Sequence, residues 1–596
     1  MELFHCLERN NNMTKPITLT FFFFFIGLYI TQAQSLIWKH TMGDTSSILG
    51  DYNAGMARDN NGDLIICGSY AGTMNPDPAN ATYTITASGT SNSYIAKYTA
   101  SGNFVWIKQI TGPTYESIYA MDLDANGNIY VTGTFASTAD FDPGPGTATQ
   151  TSYGNSSNIF IAKYDNNGNY KWAKGLGSSG NTDNGLDLVV DNAGNVIVTG
   201  HFTGSVSFDP SSTVSTVTSL GGMDAFIVKY DSVGTFQWVR AIGSAPHWER
   251  GKEIDVDGNN NIYVLGEFAS TIDVDPSSVV MNIVPISGTD GDIFFVKYNP
   301  QGQPQWAKSL GVGGQFDSNP VMAVSNQYVY LGGGVNDNLD FDLGASTYYP
   351  TPVSAYTKGF IAKYDLNAQL IWVKQYQDTA YSTIQKIKIM PNQSLLVGGV
   401  FYATSGFNVS FNSNATSYLT NAVIQSPFIA IFDSSMNYQE SWFMECSRMA
   451  SVSDIAAEGN WVYVSGDFED TVDFDPGAAN TATMSNGYRD IYLNKYAITN
   501  PTATHSMDRE KLACQVYPNP ASTEFYVQLK TEEARQIKVS VYDMLGRNMG
   551  VLNYHAQPGT NRFSYSIGHL PSGIYSVHVQ DLKKSESRFV SKITVE

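Results

Sequence analysis

An all-β chain is predicted by three markers that keep one beat along residues 38–496. Tryptophan returns at Trp38, Trp106, Trp172, Trp238, Trp306, Trp372 and Trp442, at spacings of 66–70 residues. A glycine closing an apolar run returns at Gly68, Gly133, Gly200, Gly266, Gly333, Gly399 and Gly466. The third marker, FIAKYD at residues 160–165 and 360–365, has relatives at 94–98, 226–231, 294–298, 428–433 and 491–496. Seven copies of one period imply a repeat architecture whose units cover each other's apolar faces.

Within a unit the apolar residues alternate with a period of two, which selects strands over helices. Residues 184–243 read NGLDLVVD, a DNAGN turn, NVIVTGHF, a long polar loop, DAFIVKYD, an SVGT turn and FQWVRAIG, which makes four strands. Asn126-Gly127 and Ala193-Gly194 supply the positive φ that tight hairpins require. One four-stranded antiparallel sheet cannot cover both of its apolar faces, whereas seven arranged radially can. A seven-bladed β-propeller is therefore predicted over residues 34–496. The first unit begins with its Trp strand, 35–41, and the last ends at Lys495-Tyr496 with no Trp strand after it. The amino terminus thus offers the strand the last blade lacks, which would close the ring and remove two open edges.

The start of the chain predicts export. From Met13 it runs through Lys15 into the apolar stretch ITLTFFFFFIGLYI, then Thr31-Gln32-Ala33-Gln34. A positive charge, a short apolar core and small residues before a cleavage point between Ala33 and Gln34 make residues 1–33 a secretory signal peptide. The run is too short for a membrane span, and no transmembrane segment is expected. Apolar residues at 42% suffice for a packed interior, while 34 basic against 54 acidic residues give a net charge of −20. Nucleic-acid binding is not expected of such a chain, because a polyanion is repelled and few cations can release its counterions. Cys67, Cys446 and Cys514 lie far apart in sequence, with no CxxC pair, so no zinc site is supported. A single Cys67–Cys446 bridge is left open.

Carboxylates recur at fixed places. The D-F-D-P step gives Asp140/Asp142, Asp273/Asp275, Asp340/Asp342 and Asp473/Asp475, reduced to Asp209, Asp77 and Asn412 in other units. Paired oxygen donors could hold Ca²⁺; the favoured reading is that Asp bonds turn N–H groups while Pro ends the strand. A second set, Asp51, Glu116, Asp183, Glu249 and Asp317, precedes each unit's first hairpin and reads either as loop anchors or as a partial ring of charge at a channel mouth. Asp122-Leu-Asp124-Ala-Asn126-Gly127 begins like an EF-hand loop, but Gly133 stands where a bidentate Glu is needed, so a hairpin is expected. His247 and Glu249 are the one His/acid pair peculiar to a single unit. No local catalytic motif appears, and an enzyme is not the favoured reading. The Ser/Thr/Gly/Asn-rich loops 144–158 and 277–291 would open on one face, as plain solvated loops or as a surface for a glycan or protein partner.

After Tyr496 the beat stops. A polar linker, 497–514, leads to residues 515–596, which carry a net +2 against −22 for 34–496. Runs such as EFYVQL, IKVSVYDM, NRFSYSI, GIYSVHVQ and FVSKITVE predict a small Ig-like β-sandwich.

Two resemblances follow from these residues. The D-x-x-G-N-x-Y-V-x-G element at 124–133 and 191–200, with D-F-D-P and F-I-A-K-Y, resembles the SBBP repeats of secreted bacterial seven-bladed propellers. The fifth and sixth units depart from that pattern, with Ser325-Asn326-Gln327 and Pro391-Asn392-Gln393 in place of the glycine turn. Tyr517-Pro518-Asn519-Pro520, then Asp543, Gly546 and Arg547 within VYDMLGR, then Pro571, Gly573 and Tyr575 within LPSGIY, resemble the type A C-terminal sorting domain of the type IX secretion system of Bacteroidetes. The resemblance implies an outer-membrane address, with the secretion machinery as partner. Taken together, the expectation is a secreted or cell-surface monomer that binds glycan or protein. An extracellular polysaccharide hydrolase or lyase with a site at the channel is the alternative.

Overall fold

The computed structural model describes residues 34–596 except 45–49, 78, 181, 210–214, 276–279, 287–290, 312–319, 336–338, 345–346, 349–356, 377–380, 404–406, 409–417, 420–421, 478–481, 499–513, 532–533, 544–547, 569, 582–587 and 596. The signal peptide expected in residues 1–33, with Ala33, lies outside the described residues, as do Asp317 and Asn412. Among the described residues, no helix is long and apolar enough to cross a membrane.

The alternation builds strands where it was expected to. Tyr52–Arg58, Leu64–Tyr70, Asn92–Tyr98 and Phe104–Ile110 form the first four-stranded antiparallel sheet in chain order. Four more sheets repeat the plan, running from Glu116–Leu123 to Tyr170–Leu176, Asn184–Val190 to Phe236–Ile242, Glu249–Val256 to Pro304–Leu310, and Val321–Val324 to Leu370–Gln375. Two further four-strand runs share a nine-stranded sheet, joined by Met449–Ala450. The sixth run goes from Tyr381–Ile389 to Tyr438–Phe443; the seventh is Asp454–Glu458, Trp461–Glu469, Asp490–Ala497 and then Ser35–Met42. The last pair is antiparallel, with Ser35 opposite Ala497 and Met42 opposite Ile491.

The first strand of each run lies beside the first strand of the next, from Tyr52–Arg58 through Glu116–Leu123 and onward to Asp454–Glu458. Asp454–Glu458 in turn lies beside Tyr52–Arg58. The apolar core sits between sheets. Ile159 and Ile161 of the second, for example, share a cluster with Val196, Val198 and Phe226 of the third.

Each sequence marker has its own physical cause. A Cβ on Gly68, Gly133 or Gly200 would stand 1.9–2.0 Å from the carbonyl oxygen of Tyr52, Ser117 or Asn184, on the neighbouring strand of its run, and one on Gly466 would stand 2.1 Å from that of Ser451, so no side chain fits there. The indole N–H groups of Trp172, Trp238 and Trp306 donate to Ser232 O, Pro300 O and Leu366 O of the following sheet at 3.1–3.3 Å. Lys163, Lys229 and Lys297, from the FIAKY strands, donate to the same three carbonyls at 2.9–3.4 Å. The beat records contacts repeated within each unit and between neighbours.

One expectation needs correcting. The loop between the second and third strands is partly strand itself: Val196–Ser207 and Thr216–Tyr230 extend their pairing outward, and Thr138–Asp140 pairs with Thr149–Thr151.

The carboxyl-terminal unit has seven strands, two more than the five its sequence suggested. Cys514–Tyr517, Glu524–Thr531 and Gly559–Ser566 form one sheet; Asn548–Ala556, Arg535–Asp543, Gly573–Asp581 and Arg588–Val595 form the other. Phe525, Val527 and Leu529 of the first share a core with Ile537, Val539, Val577 and Ile593 of the second.

Candidate functional site

The recurring carboxylates divide sharply by role. Asp140 Oδ1 accepts the N–H groups of Asp142 and Ala148 at 3.0 and 2.8 Å, and Asp142 Oδ1 accepts that of Gly144 at 2.8 Å. Asp273, Asp340 and Asp473 likewise accept the N–H of Asp275, Asp342 and Asp475. The intervening Phe141, Phe341 and Phe474 are buried. Their carbonyls receive the hydroxyls of Tyr164, Tyr364 and Tyr496 at 2.9–3.0 Å, which bolts each turn to the FIAKY strand of its own sheet. These carboxylates hold turns, and among the described residues no group of three or more His, Cys, Asp or Glu is placed to bind a metal such as Ca²⁺. Asp77 and Asp209 sit in the corresponding turns of their units, where Asp77 Oδ1 accepts the N–H of Ala79.

The second set does not form a ring at a mouth. Asp51, Glu116, Asp183 and Glu249 are fully buried. Asp51 takes the N–H groups of Asp44 and Ala71, Asp183 those of Ser178 and Thr203, Glu249 the N–H and hydroxyl of Ser244, and Glu116 the amide of Asn92. They anchor the loops that enter each first strand. The His247 side chain is exposed, so it does not join Glu249 in a catalytic pair. Asp124 Oδ1 accepts the N–H groups of Asn126 and Asn128 in a hairpin with Gly127 at φ +76°, as expected for a turn rather than a calcium loop. Cys67 and Cys446 do not pair: both are free, as is Cys514.

What the first strands do line is a run of three cavities, of about 440, 270 and 570 Å³, that share walls. Most of these strands carry a one-residue register shift, after which Asp187, Glu253 and Lys386 stand opposite Thr199, Leu265 and Gly398. Asp454 holds the corresponding place opposite Ser465. Two residues beyond Glu253 and Lys386 come Asp255 and Lys388, and Asp122 stands two beyond Ala120, which faces Thr132 after the same shift. Sequence reasoning missed this group. The available signal was a column thirteen residues before the repeating glycine, where Asp187, Glu253 and Lys386 interrupt apolar or small residues.

The carboxylates staple neighbouring units. One oxygen of Asp122, Asp187, Asp255 and Asp454 accepts the N–H of Val190, Ile254, Val324 and Met56, each in the adjacent first strand, at 2.7–3.0 Å. The other oxygen accepts the N–H of the next residue in its own chain at 2.8–2.9 Å. Gln385 does the same with Val452 N at 3.0 Å. Lys388 Nζ lies 3.7 Å from Asp454 Oδ1. Burial pushes Asp255 up to about 6, against its two N–H bonds. Burial, with Glu253 beside it, raises Asp187 well above the usual carboxylate range, and burial raises Glu253. Burial acts to lower Lys386, but Asp454, Glu253 and Asp187 outweigh it and hold its ammonium above the ordinary lysine value.

In the carboxyl-terminal unit Asn519, Gly573 and Tyr575 lie against the last strand, Arg588–Val595, while Asp543 lies one strand away. Asn519 Oδ1 accepts the N–H of Thr594 at 2.8 Å, with Pro518 and Pro520 exposed on either side. Asp543 pairs with Tyr575, Tyr575 with Ile593, and Gly573 with Val595. Tyr575 Oη donates to Pro571 O at 2.7 Å, and Tyr517 Oη to Gln528 Oε1 at 2.7 Å. Gly546 and Arg547 lie outside the described residues. Gln34, first after the expected cleavage point, donates through Nε2 to Glu440 Oε1 at 2.6 Å.

A repeat of four-stranded sheets followed by a two-sheet sandwich defines an all-β repeat protein with a separate carboxyl-terminal unit. Residues 105–134 match the β-propeller repeat called SBBP, and residues 515–596 match the secretion system C-terminal sorting domain. The chain thus carries an SBBP β-propeller repeat and a type IX sorting domain, and the sorting domain sends it to the cell surface or the extracellular space. An uncharacterized WD repeat-containing protein of Acanthamoeba polyphaga mimivirus is 27% identical over 260 residues, 39% of this chain. The chain spans about a fifth (19%) of that relative's length. Among solved structures, a Bacteroides caccae protein of unknown function is 9% identical, with a TM-score of 0.28, covering 59% of this chain and 89% of its own. The extracellular domain of a B. thetaiotaomicron hybrid two-component system is 11% identical, with a TM-score of 0.16, covering 94% of this chain and 100% of its own.

Proposed function

We propose that residues 34–496 close into a seven-bladed ring that serves as a binding scaffold for a glycan or protein outside the cell. The ring reading is supported by the succession of first strands that returns to Tyr52–Arg58, and by the pairing of Ser35–Met42 with Asp490–Ala497. Export would use the leader in residues 1–33, cleaved between Ala33 and Gln34. The Tyr517–Pro520, Asp543–Arg547 and Pro571–Tyr575 motifs would be the surface read by the secretion machinery, a reading supported by Asn519, Gly573 and Tyr575 lying together against the last strand.

The observation that carries binding over catalysis is the state of the cavity carboxylates. Asp122, Asp187, Asp255 and Asp454 each have both oxygens engaged by backbone N–H groups. Such groups are fixed acceptors, suited to orienting a ligand rather than to attacking or shuttling a proton. The hydrolase or lyase reading rests on Asp187 and Glu253, which line the same cavity. A glycan array probed with the secreted protein, alongside an assay for new reducing ends, separates the two. Saturable binding without product supports the scaffold, and product formation replaces it with the enzyme.

A further inference from the structure

The most polar of the cavities is the one of about 440 Å³, a volume within the roughly 300–1,000 Å³ typical of small-ligand sites. Its walls come from several units at once. Tyr119 enters from the second, Asp187 from the third, Glu253 from the fourth, and Lys386 from the sixth. Tyr119 keeps 40% of its surface exposed although it stands at the register shift of an inner strand, where burial is the rule for its neighbours. A half-exposed phenol ring beside fixed carboxylates offers an apolar face and charged acceptors within one small volume.

The charge of this cavity is unbalanced. Asp187, Glu253 and Asp454 share it with one ammonium, Lys386, which also faces Asp255. Lys388 is already beside Asp454 at 3.7 Å. A ligand bringing a second ammonium would relieve the mutual repulsion of Asp187 and Glu253, and the surrounding ring, at −22, would draw it in. An anionic ligand would meet the opposite field. A neutral one would gain the aromatic face but leave the charge uncompensated.

We propose that this cavity binds an amine-bearing saccharide, with the ammonium between Asp187 and Glu253 and a sugar face against Tyr119. The assignment rests on the scaffold reading above and gives it a place and a ligand class. The carboxylates are held by Ile254 N and Leu188 N on the Asp187 side, so the acceptors are set before the ligand arrives. Tyr119 adds the attraction of an aromatic face for a cation nearby and for the C–H face of a pyranose.

The test is calorimetric titration of the full secreted chain with a glucosamine dimer and with its N-acetylated counterpart, which has the same ring and no charge. Binding of the amine at least about tenfold tighter than the acetylated form is expected. Glu253→Gln and Asp187→Asn are each expected to remove most of that preference. Tyr119→Ala, at an exposed position that leaves the staples untouched, should weaken both sugars by about tenfold. Unchanged melting temperature in Tyr119→Ala keeps the result readable if a carboxylate variant does not fold. Equal binding of the two dimers, or full binding by Tyr119→Ala, overturns the assignment. Binding of other glycans that survives all three variants overturns it while leaving the scaffold reading in place; an array with no bound glycan or protein overturns the scaffold reading itself.

Discussion

The carboxylate of Asp454 accepts the backbone N–H of Met56 at 3.0 Å, joining residues 398 apart in the chain. It is the same staple that Asp122 makes with Val190 and Asp187 with Ile254, made here between the last unit and the first. Lys495 Nζ repeats the relation farther out, donating to Ala100 O at 2.9 Å as Lys163 does to Ser232 O.

Asp454→Ala should therefore loosen the junction between the ends. Met56 is buried, and its N–H would lose its acceptor, at about 1–3 kcal/mol. Urea unfolding followed by tryptophan fluorescence measures the loss. A midpoint equal to that of the unaltered chain would show that the staple carries no stability.

Deleting residues 35–42 exposes the whole of Asp490–Ala497 as an open edge and strips the partner from seven paired positions. The shortened chain is expected to self-associate and to unfold over a broader range. Size-exclusion chromatography with light scattering reads the first effect, calorimetry the second. A monomer with an unaltered, sharp transition would contradict both.

Stability against pH has a sign fixed by the buried loop anchors. Burial pushes Asp51 and Glu116 up to about 8 and Glu249 up to about 7, outweighing their hydrogen bonds. Each holds its proton more tightly folded than unfolded, so stability falls as pH rises from about 4, the unfolded value, to about 8. Asp165 acts oppositely: its bonds to Asn169, Lys171 and Asn167 outweigh burial and hold it at about 2, and that contribution is lost as pH drops below about 4. The melting temperature is expected to peak near pH 4–5 and decline toward pH 8. A steady climb from pH 5 to pH 8 would refute the ordering.

Lys229 and Asp191 form an ion pair at 2.8 Å with side chains 7% and 1% exposed. Lys229→Met removes the cation while Asp191 stays buried, at about 3 kcal/mol near neutral pH. Asp191 is held below the usual carboxylate range, with burial opposed by Asn195 and Lys229. The variant should therefore lose less stability than the unaltered chain on acidification below about 4. Parallel denaturation at acidic and neutral pH checks this, and an equal acid loss in both would count against it.

Much of the architecture was legible because the repeated residues make contacts that recur from unit to unit, some within a unit and some to the next. Gly200 leaves room for the Asn184 carbonyl, and Trp238 and Lys229 reach one carbonyl of the next sheet, so each unit needs the same residue at the same place. The D-F-D-P step was readable as a turn for the same reason. The cavity group was not. Asp187, Glu253 and Lys386 differ from unit to unit, and a beat built on sameness hides a site assembled from differences. The strands Cys514–Tyr517 and Asn548–Ala556 were missed for a local reason: one is four residues long, and the other, NMGVLNYHA, lacks clean alternation.

Ser35 faces Ala497 while Met42 faces Ile491, so the loose ends of this strand pair leave from the same side. Tension applied between residue 34 and residue 498 would load the hydrogen bonds singly, in sequence, like the teeth of a zip. A molecule built this way can resist heat as a whole and still part readily when tugged by its two tails.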